Sequence, residues 1–233
     1  MNKHNTSPIS RLATLKWLPA LFLLAAVGCG GSDDDPATPA AAGPAPAPAP
    51  APAPPPPLPT IAAAVNLDPN QQIGVTSTFW VDGDTTLGGL GQLVQGVLCV
   101  PSLVQTFHIH SHLSIFVNGQ AQAIAANVGI LDTPVDCHYY VHTHDHSGKI
   151  HMEAPVQTTF TLGQLFAIWG QPLTTTNVAG IQGMAQNVYV TENGTVTQFT
   201  GDPATIEMTS HRHIAIVLGT PIAQVPFFTW TAN

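Results

Sequence analysis

The sequence predicts an α+β domain that is mostly β, with one short helix supplying the α part. Three observations carry this. The stretch "TFHIHSHLSIFV" alternates Phe107, Ile109, Leu113, Ile115 and Val117 with His108, His110, His112 and Ser114, the period of two that marks a half-buried strand. Asn118-Gly119 follows at once and is a strong hairpin turn. In "TLGQLFAIWG", Leu162, Leu165, Phe166 and Trp169 share a helical face, Thr161 stands at the N-cap and Gly170 stops the run.

Taken in chain order, the first strand turns at Asn118-Gly119 into "QAQAIAANVGI". A second hairpin runs from "YYVHTH" to "KIHME" around "DHSG". The helix comes next, then a third hairpin, "NVYVTENGTVTQF", and a closing strand "HRHIAIVLG" with Ile214, Ile216 and Leu218 facing inward. His211 and His213 fall on the outward side of that last strand and read as surface residues.

Hairpin, helix, hairpin and final strand, carried by "FVNGQ", "TLGQLFAIWG" and "HIAIVLG", resemble the β-grasp fold, with the histidine-rich hairpin as an insertion before the helix. A cupredoxin-like β-sandwich is the competing architecture. Separately, "FHIHSHLSIFVNGQ", "CHYYVHTHDHSGKIHMEAP" and "FTLGQLFAIWG" resemble an uncharacterised family of bacterial exported proteins with H-x-H, HTHD and GxIH elements. That resemblance implies export and supplies no chemistry.

The N-terminal quarter reads differently from the rest. Lys3, Arg11 and Lys16 precede the apolar run "WLPALFLLAAV", about half of the ~20 residues needed to span a bilayer. A basic start, a short apolar middle and small residues at its end make residues 1–28 a signal peptide. The ending "AAVGC" resembles a bacterial lipobox, which makes Cys29 the lipidated first residue of the mature chain. Residues 29–59 then form a Pro/Ala-rich disordered stalk, of which Pro36 to Pro59 would reach on the order of 70 Å if extended as polyproline II. These features place the domain, residues 60–233, in the cell envelope, held to a membrane through its lipid anchor. Gly30 after Cys29 points to the outer membrane where the cell has one.

Charge and cysteine usage agree with that compartment. Without the signal, Lys149 and Arg212 face thirteen acidic residues, a net charge of −11 with neutral histidine. Such a field repels phosphate backbones and excludes nucleic acid as a partner, whereas it suits a cation. With Cys29 lipidated, Cys99 and Cys137 remain as an even pair in an oxidising space and are expected to form a disulfide. A thiolate metal site is the alternative, although the pair lacks close C-x-x-C spacing.

Five of the sixteen residues from His138 to Glu153 are histidine. If His146 to Lys149 form the turn, His144 opposes His151 and His142 opposes Glu153. All four then lie on one face, with Val141, Ile150 and Met152 directed to a core. Three imidazoles and a carboxylate at that spacing suit Zn²⁺ or Cu²⁺. His108, His110 and His112 form a second row, ~6.7 Å apart, from which two histidines join the site if the strands are neighbours. Because imidazole must shed its proton to coordinate, affinity is expected to fall as pH drops through about 6.5.

Three functions fit these residues: a metal-binding lipoprotein for capture or sensing, an adhesion or interaction module with solvated histidines, and a metal-dependent hydrolase or hydratase. No H-E-x-x-H helix, G-x-S-x-G elbow or H-x-H-x-D-H pattern is present. In the hydrolase reading Glu153 is the base beside a metal-bound water.

Overall fold

The computed structural model describes residues 57–68, 70–83, 88–132 and 134–230, all within the unit Ala53–Asn233. The expected signal peptide 1–28, the expected lipidation at Cys29 and the expected stalk as far as residue 56 lie outside the described residues. The strands begin with β1 (Thr60–Asn66), β2 (Cys99–Val100), β3 (Phe107–Val117), β4 (Gln120–Gln122), β5 (Ile130–Leu131) and β6 (Cys137–Tyr139). Then come β7 (Val141–His142), β8 (Lys149–Ala154), β9 (Phe160–Thr161), the helix α1 (Leu162–Trp169), β10 (Asn177–Val178) and β11 (Ile181–Gln182). The chain continues through β12 (Gln186–Glu192), β13 (Thr195–Phe199), β14 (Glu207–Met208), β15 (His213–Leu218) and β16 (Gln224–Thr229). The domain is α+β and mostly strand.

Strand β3 is the spine of the main sheet, whose order is β13-β12-β15-β3-β8-β7 with β4 also pairing β3. On one edge β15 runs parallel to β3, placing Ile214 beside Leu113. On the other edge β8 takes Phe107–His112 and β4 takes Ile115–Val117, both antiparallel. Hairpin β3–β4, helix α1, hairpin β12–β13 and a strand lying parallel beside the first follow the β-grasp order, and β7–β8 is the insertion. Asn118 and Asn193 turn with φ of 50°, each followed by a glycine at positive φ, the left-handed pair that a two-residue hairpin needs.

Helix α1 begins where both sides of its capping box close. Thr161 Oγ1 accepts from Gln164 N at 3.4 Å, and Gln164 Oε1 accepts from Thr161 N at 2.9 Å. Gly170, left-handed at φ 75°, ends it. Leu162, Leu165, Phe166 and Trp169 pack in one cluster with Leu113, Ile115, Ile150, Met152, Ile214 and Ile216. The core therefore lies between α1 and one face of the main sheet, with Tyr139 of β6 packed into the same cluster.

The opposite face is covered where the sequence had implied solvent. Beyond β15, the chain adds β16, which pairs parallel with β1 and lays Phe227, Phe228 and Trp230 over the histidine side. β15 is thus not the closing strand, and His213 is buried, not a surface residue; His211 stays exposed. The second arm of the first hairpin is also shorter than expected, because Ile124 and Val128 leave the ladder to enter the core.

Cys99 and Cys137 are bonded, with Cα atoms 5.5 Å apart, and they tie β2 to β6 just before the histidine-rich hairpin. The bridge closes a loop of 38 residues. Cross-linking a loop of that length stabilises by about 4 kcal/mol through the unfolded chain. The double variant Cys99→Ser/Cys137→Ser is therefore expected to lose stability of this order in urea unfolding. A loss below ~1 kcal/mol would show that the link constrains little.

Candidate metal centre

The site is built by three neighbouring strands. On β3, alternation sends His108 and His110 to the face opposite the helix. On β8, which runs antiparallel beside it, Glu153 faces His108 and His151 faces His110. On β7, His142 faces His151 from the far side. His110, His151 and His142 thus form one row across the sheet, with His108 and Glu153 one step along the ladder. His144 reaches the row from the loop after β7.

That loop departs from the expected register. The sequence reading paired His144 with His151 and His142 with Glu153, whereas the structure pairs His142 with His151 and Val141 with Met152. The slip is by two residues, so every side chain keeps its face. Local hydrogen bonds replace the missing rungs: Thr143 Oγ1 donates to Ala125 O at 2.8 Å and accepts from Val128 N at 3.1 Å. Asp145 accepts from Ser147 N at 2.9 Å and from Asn70 N at 3.0 Å. Side chains of this kind compete with ladder pairing, and here they hold the loop open around the imidazoles.

His142, His144, His151 and Glu153 offer ligand atoms that all lie within 4.8 Å of one another, and so do His108, His110 and His151. Glu153 Oε1 is near the middle, 3.3 Å from His108 Nε2, 3.6 Å from His151 Nδ1 and 3.7 Å from His142 Nε2. His142 Nε2 lies 3.2 Å from His144 Nε2, and His110 Nε2 lies 3.0 Å from His151 Nδ1. Tetrahedral Zn²⁺ with bonds of 2.0–2.1 Å needs donors ~3.3 Å apart, and these spacings bracket that value. His142 Nδ1 donates to Tyr139 O at 2.9 Å, which fixes the tautomer and leaves the Nε2 lone pair facing the cluster.

Charge in the cluster is unbalanced in a way that a cation corrects. Burial, reinforced by His144 and His151, lowers the pKa of His142 to about 3, and burial with His151 and His108 does the same to His110. His144 and His151 are also lowered, chiefly by burial. Glu153 goes the other way. Burial opposes its ionisation, but hydrogen bonds from His151 and Gln105 hold it at about 2. Near neutrality the site sets a buried carboxylate beside imidazoles, those of His142, His144 and His151, that burial holds towards the neutral form. Among the described residues, Glu153 has no lysine or arginine in its ion pairs. A buried charge without a permanent cation beside it is costly, and a bound ion would offset that cost.

The structure brings together six of the seven histidine and carboxylate ligands expected from the sequence. His112 is the exception. Its Nε2 donates to Ser147 O at 2.8 Å and its ring packs 4.2 Å from Phe228, so it serves packing and loop anchoring. Gln105 was not anticipated: its Nε2 donates to Glu153 Oε2 at 2.8 Å and orients the carboxylate. It precedes β3 in a segment without periodicity, and no sequence signal marks it. Trp230, whose ring centroid is 6.3 Å from that of His110, was likewise invisible. Compared with protein-family models, curated proteins and solved structures, the chain matches none.

Proposed function

We propose that this protein is an exported, envelope-tethered lipoprotein that binds a divalent transition metal, zinc or copper, for capture or sensing. The carrying observation is the convergence of His142, His144, His151 and Glu153, whose ligand atoms all lie within 4.8 Å of one another. Neutral imidazole with one carboxylate is the donor set that suits these two ions. His144, the exposed member of the set, is the side from which an ion enters. The lipobox resemblance at Cys29 and the stalk support display at a membrane, as does the acidic balance for attracting cations.

Hydrolysis is less well served. A base must be free to take a proton, yet Gln105 holds one oxygen of Glu153 and three imidazoles flank the other. That carboxylate is placed as a ligand. Elemental analysis of the full chain, purified without a His-tag or chelating column and then titrated with Zn²⁺ and Cu²⁺, tests the reading. Bound metal and a raised melting temperature are expected, since a ligand held only by the folded state adds stability. Binding no tighter than about 10 μM for either ion would favour an interaction module with merely structural histidines.

A further inference from the structure

We propose that the cluster seats two ions rather than one. The first lies at His142, His144, His151 and Glu153; the second lies at His108 and His110, with the Glu153 carboxylate serving both. This rests on the metal-binding reading above and extends it to the nuclearity of the site.

Six groups converge, two more than a four-coordinate ion takes. They fall into two sets, each within ligand range of itself, with His151 in common. An ion at the first set leaves His108 and His110 facing it from the neighbouring strand. His108 Nε2 is buried and has no hydrogen-bond partner, although Glu153 Oε1 is 3.3 Å away. Orphaned buried nitrogens are rare and call for an explanation, and a second ion supplies one. Glu153 is placed to join the seats: Gln105 occupies Oε2, and Oε1 lies between His108 Nε2 and His142 Nε2. His110 Nε2, 3.0 Å from His151 Nδ1, brings the second seat against the first. Paired ions in such sites lie ~3.5–4 Å apart. Two divalent charges so close to a single carboxylate repel, so the second ion binds more weakly and loading is stepwise.

Native mass spectrometry of the full chain during Zn²⁺ titration tests this. Two ions per chain are expected, the second held at least about ten-fold more weakly than the first. His108→Ala/His110→Ala is expected to keep the tight step and stop at one ion. With Cu²⁺, magnetic coupling should diminish the electron-paramagnetic-resonance signal per ion as the second equivalent enters. Wild-type protein that saturates at one ion, with an uncoupled Cu²⁺ signal, overturns the second seat and leaves the metal-binding reading intact. Wild-type protein that takes up no ion overturns both. The wild-type stoichiometry decides the matter even if a double variant fails to fold.

Discussion

Replacing His151 with alanine is expected to weaken zinc or copper binding by about 100-fold or more. His151 belongs to both candidate ligand sets, and its neighbours across the sheet, His110 and His142, each belong to one of them. Structural zinc sites bind with ~10–16 kcal/mol, so one ligand of four accounts for roughly 3 kcal/mol, or about two orders of magnitude in affinity. Calorimetric titration against a competing chelator measures this. His213→Ala is the control. His213 is equally buried, but it packs against Phe227 and Trp230 and lies in neither ligand set, so its loss should leave affinity unchanged. Both variants shorten a buried ring and lose stability by that route, and only the first should lose metal. Equal affinity in the two, with native circular dichroism in both, would remove His151 from the centre.

Metal-free protein is expected to lose stability steeply as pH falls below about 6.5. Burial lowers His110, His112 and His142 to about 3 and His213 to about 4, so the folded state keeps them neutral where the unfolded chain is protonated. Between the unfolded and folded values the unfolded state binds more protons, and stability therefore rises with pH across that window. Each histidine contributes up to ~1.4 kcal/mol per pH unit. Glu153 adds to the same trend at lower pH. Its folded value of about 2 lies below the unfolded one, so its contribution is present above about 4.5 and is lost as pH falls through about 2. Urea unfolding from pH 7.5 to pH 4 measures the slope, and a flat profile would mean that these rings are not buried neutral. Saturating Zn²⁺ should move the acid midpoint downward, because it binds only the folded chain.

The same burial revises the affinity profile expected from the sequence. An exposed imidazole site loses metal as pH drops through about 6.5. Here burial lowers His110, His142, His144 and His151, so proton competition at these rings within the folded state begins lower. Any loss of metal near 6.5 would then report unfolding, which the stability measurement distinguishes.

Sequence alone determined the local elements and which face each side chain takes. Alternation in β3 and β8 assigned His108, His110, His151 and Glu153 to one side, because the strand period is two and admits no other division. Asn118-Gly119, the Thr161 cap and Gly170 each fixed a turn or helix end through backbone conformations few other residues adopt. The Cys99–Cys137 link followed from count and compartment. Tertiary structure alone decided position along the strands and what lies over them. A two-residue slip preserves the faces and leaves no trace in hydrophobic pattern, and the β7–β8 register is accompanied by bonds of Thr143 and Asp145 to distant backbone that pattern does not reveal. Whether a histidine is a ligand or a packed ring likewise depended on β16. His112 and His213 share the polar parity of the candidate ligands, yet Phe227, Phe228 and Trp230 enclose them, because the segment that follows β15 folds over that face.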